Sequence, residues 1–154
     1  GGDVLKEMAK EQGFNSDGDD WWDTPEGMTF LNQREQNSEF DKNLDKKLTE
    51  LFNQGGMVIT SYTLPWLIEN GVKIWLEGSH ESSTKRMQSR DNMSSENAYE
   101  ITKARFDKNK ALYKKLYGFS FGEDKDVFDV IINTDNLTAN QVIDVTTETV
   151  RKLL

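Results

Sequence analysis

Three short apolar runs, separated by long helical patterns, constrain the fold of this chain more than any other feature. The runs cover residues 57–60, 72–76 and 127–132, and each has the length and the apolar content of a buried strand. Helical spacing of apolar residues occupies the sequence before, between and after them. Strands that alternate with helices form a parallel sheet covered by helices on both sides. The sequence therefore predicts an α/β fold.

Capping residues predict where several helices begin. Thr24 before Pro25 is typical of a helix start, and Ser38 with Asp41 resembles a capping pair. Thr138 opens a capping box that leads into a final helix. The apolar spacing indicates further helices over 3–12, from Ser38 to about Gly55 and over 94–117, and the polar residues 80–90 are predicted to be helical as well.

The composition excludes several classes of protein. The chain has 154 residues, a formal net charge of -8 and no cysteine. An acidic surface is unsuited to polymeric nucleic acid, although a few arginines can still form a local pocket for a small anion. Without cysteine there is no disulfide framework and no thiolate metal site, which fits a cytoplasmic protein. No apolar run approaches the roughly 20 residues of a membrane span.

Arginines occupy positions that need an explanation. Arg86 and Arg90 lie four residues apart and share a helix face, where two like charges repel unless an anion lies between them. The alternative is an ordinary solvated helix, since Glu81 precedes Lys85 by four residues. Arg105 interrupts an apolar stripe, so its side chain must reach out to water or meet an anion. The apolar members of that stripe are Ala98, Ile101, Leu112 and Leu116.

Other polar and aromatic features have ordinary structural explanations. His80 is expected at a surface or a helix cap rather than as a catalytic base. Of Trp21 and Trp22, one is expected to pack and the other to be half exposed. The acidic run over 17–23 is expected to be solvated, because its spacing matches no metal-ligand pattern.

Several short motifs, in order along the whole chain, resemble the archaeal-type cytidylate kinases. Residues 1–9 resemble the Gly-Asp-x-x-Arg-x-Met-Ala segment that follows the second strand of that family. Residues 72–79 resemble the strand that leads into the lid, and Arg86 and Arg90 fall where the lid arginines fall. Residues 105–118 resemble the Arg-rich helix with its Tyr-Gly ending, and 128–134 resemble the last strand with the turn after it.

The resemblance implies a P-loop kinase-like parallel sheet covered by helices on both sides, with a helical monophosphate-binding region and a lid. Residues 1–154 then form a single domain, in which 1–54 is the monophosphate-binding region and 80–117 holds the lid and the Arg-bearing helices. The first two strands of that fold have no counterpart here, and neither has the Gly-x-x-x-x-Gly-Lys-Ser/Thr loop. The chain opens on Gly rather than Met, and we expect the missing strand, loop and helix upstream in the natural protein.

The reaction that the resemblance implies moves the γ-phosphoryl group of ATP, with Mg²⁺, to CMP or dCMP. Arg86 and Arg90 are expected to clamp the donor and the transferred phosphoryl group. Arg105 is expected to hold the acceptor phosphate. The partners implied are small nucleotides alone, with no polymeric nucleic acid and no membrane, and the protein is expected to be a monomer. This chain by itself is expected to be inactive.

The implied substrate-binding residues are spread over the chain. Asp3 and Lys6 border the monophosphate site, Tyr62 and Trp66 form its base-facing wall, and Asp107 and Asn109 lie near the sugar or base. The chain departs from the family pattern at three positions: Lys6, Tyr62 or Thr63, and Leu112 stand where relatives commonly carry arginine. Two alternatives therefore stay open: a kinase of another monophosphate such as AMP or dTMP, and a non-catalytic nucleotide-binding protein.

Overall fold

The computed structural model describes residues 2–18, 21, 24–92 and 94–154, and it leaves the side chains of 34–36, 90 and 91 undescribed. The chain divides into two compact units, Gly1–Ile68 and Glu69–Leu154. Trp22 and most of the acidic run that ends at residue 23 lie outside the described residues. Trp21 is buried, with 3% of its surface exposed, as expected of one of the two tryptophans.

Four helices form the first unit: α1 (Gly2–Glu11), α2 (Pro25–Gln36), α3 (Ser38–Asn53) and the short α4 (Leu64–Leu67). The predicted cap at Thr24 is confirmed, since its hydroxyl accepts a hydrogen bond from the Gly27 amide at 3.1 Å. The predicted cap at Ser38 is wrong by one residue. Asn37 caps α3 instead, because its side-chain oxygen accepts from the Glu39 amide at 3.0 Å.

Two apolar clusters hold these helices together. Phe30 is completely buried and lies between the rings of Phe14, Trp21 and Phe40, at centroid distances of 5.1–5.5 Å. The second cluster joins Val4 of α1, Leu48 of α3 and Leu64 of α4. Burial of these side chains stabilises the unit by about 25 cal/mol per Å² of apolar surface removed from water.

The strand predicted over 57–60 does not form. These residues have no regular secondary structure, and Val58 is 97% exposed. Only Ile59 packs, against the cluster of Val4, Leu48 and Leu64. A strand exists only where its backbone pairs with a neighbouring strand. Among the described residues the sheet has two strands, and neither of them includes 57–60.

The second unit contains both strands. Its elements are β1 (Ile74–Glu77), α5 (His80–Asp91), α6 (Ser95–Tyr117), β2 (Val130–Asn133) and α7 (Ala139–Leu153). β1 and β2 are parallel, with Ile74 opposite Val130 and Glu77 opposite Asn133. The α/β class and the parallel sheet are confirmed, with helices dominating. β2 begins three residues later than its apolar run.

Aromatic rings pack beside the strand pair. Trp75 of β1 contacts Phe121 and Phe128 edge-on at 5.5 and 5.2 Å, and Phe121 also meets Tyr113 of α6. The strands still leave apolar surface uncovered, because Leu76 is 52% exposed and Ile131 is 47% exposed.

Helices α5 and α6 form an antiparallel hairpin. Thr84 and Met87 of α5 and Ala98 of α6 are buried, and His80 contacts Tyr99 and Thr102. The predicted capping box at the start of α7 is confirmed, with Thr138 and Gln141 each accepting from the other's backbone amide. None of the described helices is long and apolar enough to cross a membrane.

Candidate active site

The carboxyl ends of the two strands lie side by side, and the turns that follow them are tied together. Thr134 donates to the Glu77 carbonyl both from its amide and from its hydroxyl, each at 2.8 Å. The Ser79 amide donates to Oδ1 of Asp135 at 2.7 Å. In parallel sheets, ligands bind outside this edge. We call the group Gly78, Ser79, Arg86, Thr134 and Asp135 the strand-end corner.

Arg86 lies across this corner on neutral partners. Its Nη1 is 3.3 Å from Oγ of Ser82 and 3.5 Å from Oγ1 of Thr134, and its Nη2 is 3.5 Å from Oγ of Ser83. These distances are at the long end of the range for hydrogen bonds. A carboxylate or phosphate oxygen would make shorter, stronger bonds to the same guanidinium.

Gly78 allows the guanidinium to lie where it does. A Cβ atom at this position would be 2.5 Å from Nη2 of Arg86 and 3.4 Å from Oγ1 of Thr134. Any side chain at residue 78 therefore displaces the Arg86 head group. The position of Arg86 depends on a residue in the turn after β1 as well as on its own helix.

The electrostatics of the corner keep Asp135 ionised near Arg86. Ser79 caps α5, so the amides at the start of a 12-residue helix face the corner. The hydrogen bond from the Ser79 amide lowers the pKa of Asp135, and the charge of Arg86 contributes to the same shift. Asp135 is thereby held as a carboxylate by the turn, while Arg86 keeps hydroxyl partners.

Arg90 follows Arg86 by one helical turn on α5, but its side chain lies outside the described residues. Arg105 is exposed, so its side chain leaves the apolar stripe, as expected of an arginine at such a position. The reason is the unequal length of the hairpin: α6 has 23 residues and α5 has 12. Thr102 already meets His80, the first residue of α5, so Arg105 lies about one turn past the contact. The strand-end corner precedes His80 directly, which places Arg105 at the same end of the hairpin as the corner.

The other two predicted residues of α6 lie on different sides of the helix. Asn109 is one turn after Arg105 and shares its side. Asp107 is two residues from Arg105 and points elsewhere. It accepts a hydrogen bond from Lys103 Nζ at 2.7 Å, and this pairing raises the pKa of Lys103. The helix therefore groups Arg105 with Asn109 and separates both from Asp107.

In the first unit, α1 presents the predicted residues Asp3 and Lys6. Asp3 is exposed in the first turn of α1. Lys6 is occupied, because its Nζ donates to the Gly18 carbonyl at 2.7 Å, and its own carbonyl accepts from the Ser16 hydroxyl at 2.8 Å. Lys6 thus fastens the loop after α1 to the helix. To bind a phosphate, the Lys6 ammonium has to break its hydrogen bond to the Gly18 carbonyl.

Tyr62 and Trp66 lie close along the chain, in the turn before α4 and in α4 itself. Tyr62 is 63% exposed and Trp66 is partly buried. Leu64, between them, packs with Val4 of α1, so the start of α1 and this turn meet at one buried cluster. The structure therefore brings the neighbourhood of Asp3 to that of Tyr62.

Sequence reasoning missed residues in both units. Thr134 and Asp135 follow β2 immediately, and the rule that ligands bind at the carboxyl ends of parallel strands would have found them. Asp45 and Thr63, both buried and hydrogen-bonded to each other, are less obvious. Their signal is the placement of Asp45 three residues before Leu48, on the side of α3 that faces the core.

Together these features describe an α/β protein with polar side chains gathered at the carboxyl ends of its parallel strands. The chain matches the model of the cytidylate kinase-like family over residues 1–136, and it belongs to that family.

Curated cytidylate kinases of archaea are similar to this chain. The protein of Thermococcus kodakarensis is 30% identical over 132 residues, which cover 85% of this chain and 62% of the relative. The protein of Methanocaldococcus jannaschii is 27% identical over 157 residues, covering 99% of this chain and 82% of the relative. For the protein of Pyrobaculum arsenaticum the identity is 27%, with 92% of this chain and 72% of the relative covered. The chain thus spans less than two thirds of the length of the Thermococcus relative.

Proposed function

We propose that the full-length protein is a cytidylate kinase, which transfers the γ-phosphoryl group of ATP to CMP or dCMP. The observation that carries the proposal is the position of Arg86, whose guanidinium bonds Ser82 of α5 and Thr134 just after β2 at the carboxyl ends of the parallel strands. Membership of the cytidylate kinase-like family supports the choice of reaction, and the names of the curated relatives support the choice of acceptor.

The chemistry asks the protein mainly for positioning and for charge neutralisation. An oxygen of the acceptor phosphate attacks the γ-phosphorus, the bond from that phosphorus to the β–γ bridging oxygen breaks, and ADP leaves with the bonding electrons. Arg86 exchanges its hydroxyl partners for oxygens of the transferred group. This exchange costs little, because bonds to neutral hydroxyls are weaker than bonds to a charged phosphoryl oxygen.

The remaining predicted residues take supporting roles. We assign Arg90 to the transferred group, from the same face of α5 as Arg86, and Arg105 to the acceptor phosphate. Asn109 shares the side of Arg105 and is assigned to the sugar or base. Asp107 can contact the sugar or base only after its hydrogen bond from Lys103 breaks.

We assign the acceptor nucleotide also to the helical region over 1–54 and to the turn that follows it. Asp3 borders the phosphate, and Tyr62 and Trp66 face the base. Lys6 reaches the phosphate by leaving the Gly18 carbonyl, a neutral partner that a phosphate oxygen outcompetes.

The donor side of the site is proposed to include parts outside this sequence. A Gly-x-x-x-x-Gly-Lys-Ser/Thr loop that precedes the chain in the natural protein would cradle the β- and γ-phosphates of ATP. Mg²⁺ would arrive bound to those phosphates and neutralise charge on them. Residues 80–117 would act as the lid that closes over the nucleotides and limits hydrolysis of ATP by water.

The test is phosphoryl transfer by the full-length protein to each of CMP, dCMP, UMP, AMP and dTMP. We expect kcat/KM to be highest for CMP or dCMP. A preference for AMP or dTMP would identify a kinase of another monophosphate. That alternative is favoured by Lys6 and by Tyr62 or Thr63, which stand where relatives commonly carry arginine. Nucleotide binding without transfer to any of the five would identify a non-catalytic binding protein and would refute the proposal.

A further inference from the structure

A buried polar network holds the turn that carries Tyr62. Oγ of Ser61 accepts from the amides of Thr63 and Leu64 at 3.2 and 3.1 Å, and lies 3.2 Å from Oγ1 of Thr63. Oγ1 of Thr63 donates to Oδ1 of Asp45, which reaches across from α3. We call Asp45, Ser61 and Thr63 the turn network.

Stability alone does not explain an aspartate in this place. Asp45 is 5% exposed and Thr63 is 3% exposed, and Leu48 lies one helical turn further along the same side of α3. Removing a carboxylate from water is costly, and a well-packed apolar pair in its place is commonly as stable or more so. What the charged group adds is a strong, directional hydrogen bond that fixes one geometry.

The geometry that it fixes is that of Tyr62. Both neighbours of Tyr62 in the chain are held by side-chain hydrogen bonds, while Tyr62 itself is 63% exposed. Leu64 anchors the other end of the turn in the cluster with Val4 and Leu48. A tyrosine has few rotatable bonds, so an exposed ring on a fixed backbone loses little entropy when a flat ligand packs on it. Stacking of a nucleobase on an aromatic ring is such a contact.

We propose that Asp45 is a positioning residue for substrate binding: through Thr63 it fixes the turn that presents Tyr62 to the base of the acceptor nucleotide. This inference rests on the proposed function and deepens it. Because every base has a flat face, stacking on Tyr62 adds affinity for all monophosphates alike. The turn network therefore sets how tightly the acceptor binds and leaves the choice of base to other groups.

The test is a double-mutant cycle between Thr63 and Tyr62 in the full-length protein. Thr63→Val keeps the shape of the side chain and removes the hydroxyl, so we expect it to raise KM for CMP about tenfold and to leave KM for ATP unchanged. Tyr62→Ala removes the ring and raises KM for CMP about 10- to 100-fold. With Tyr62→Ala already present, Thr63→Val should change KM for CMP less than twofold.

Three further variants separate positioning from a general loss of structure. Thr63→Ser retains the hydroxyl and should restore KM for CMP to near the unmodified value. Thr49→Val is the matched control: its hydroxyl bonds the backbone carbonyl of Asp45 at 2.8 Å and not the carboxylate that Thr63 donates to, so KM should not change. If Thr63→Val does not fold, Asp45→Asn takes its place in the cycle, since it keeps an oxygen for Thr63 and removes the charge.

Additive effects of the two substitutions would overturn the inference, and so would an equal rise of KM for ATP and CMP. In either case the unmodified protein still phosphorylates CMP, and the proposed function stands. An unmodified protein that transfers phosphate to no monophosphate would overturn both. Equal rises in KM for CMP and UMP, with no further effect in the double variant, are the result that we expect.

Discussion

Two polar networks in this protein differ in how firmly their members are held. In the strand-end corner, Arg86 is exposed, and its hydrogen bonds to described residues go to hydroxyl groups at 3.3–3.5 Å. In the turn network, the carboxylate of Asp45 is buried and bonded to a buried hydroxyl. The first kind of contact is easily exchanged for a phosphate oxygen, and the second is not. The difference indicates that the corner supplies a mobile charge, while the turn network supplies a fixed support.

The largest expected effect is a loss of activity at the corner without a loss of stability. Arg86→Ala should lower kcat of the full-length protein about 10²- to 10³-fold, because a preorganised donor to the transferred group is lost. Its unfolding midpoint in urea should stay unchanged, since the guanidinium is exposed. Lys85→Ala is the control: Lys85 is the neighbouring exposed cation, paired with Glu81 at 2.7 Å, and its loss should leave kcat unchanged. Equal losses in both variants would contradict a specific role for Arg86.

Disruption of the turn network should, unlike Arg86→Ala, lower the stability of the protein measurably. Thr63→Val removes the hydroxyl that donates to the buried carboxylate of Asp45, and the loss of a buried hydrogen bond to a charged group costs about 1–3 kcal/mol. We therefore expect the free energy of unfolding, measured in urea, to fall by that amount. Thr49→Val also removes a hydrogen bond of a threonine hydroxyl, in this case to the backbone carbonyl of Asp45 in α3. It should lower the free energy of unfolding less, because that carbonyl also accepts a backbone hydrogen bond within the helix. A fully stable Thr63→Val protein would show that the network is not rigid.

A third substitution tests whether the position of Arg86 matters as well as its charge. Gly78→Ala places a methyl group 2.5 Å from Nη2 and shifts the guanidinium off the corner. Because Arg86 is flexible and can partly recover, we expect kcat to fall only about three- to tenfold, which corresponds to roughly 1 kcal/mol of transition-state stabilisation. In a protein that already carries Arg86→Ala, the same change should have no further effect. A further loss there would mean that residue 78 acts by another route.

Local signals in the sequence were sufficient for the helices. Thr24, Thr138 and the spacing over 94–117 place helix starts and ends to within about two residues, because caps depend on neighbouring side chains alone. The start of α3 was predicted one residue too late, because two adjacent residues can both act as caps and the structure uses Asn37 rather than Ser38.

Features that depend on distant partners could not be predicted in the same way. The apolar run over 57–60 has the composition of a strand, but a strand requires a neighbour with which to pair, and sequence composition does not report one. Arg105 falls on the apolar stripe of α6, and it is exposed because it lies about one turn past the contact of Thr102 with His80, the residue at which α5 begins. The arginines of α5 were predicted as site residues from their spacing, and that role stays a prediction. The roles proposed for Gly78 and Thr63 depend on the side chains that the fold brings next to them.

The smallest expected effect concerns the anchor of the corner and its dependence on pH. The Ser79 amide, with help from Arg86, holds the pKa of Asp135 below its usual value of 3.8. A carboxyl group whose pKa is lower in the folded state stabilises the fold above its ordinary pKa. That contribution is lost as the pH falls below 3.8 and through the folded-state value. Asp135→Asn removes the titrating group, so its urea midpoint should lie slightly below that of the unmodified protein at about pH 6.

The comparison at low pH decides whether Asp135 is the cause. At about pH 3 the difference in midpoint between the two proteins should shrink, because the unmodified protein begins to lose the same contribution. Asp144→Asn, a change at an exposed aspartate of α7, controls for the removal of one negative charge from an acidic protein. If the difference between the two urea midpoints stays constant with pH, the ionisation of Asp135 does not stabilise the fold. Asp135 would then support the turn only through the geometry of its hydrogen bond, and the amide of asparagine would not reproduce that geometry. In that case the hydrogen bond between Ser79 and Asp135 would be as fixed as those of the turn network. Arg86 would then be the mobile group of the corner that distinguishes it from the turn network.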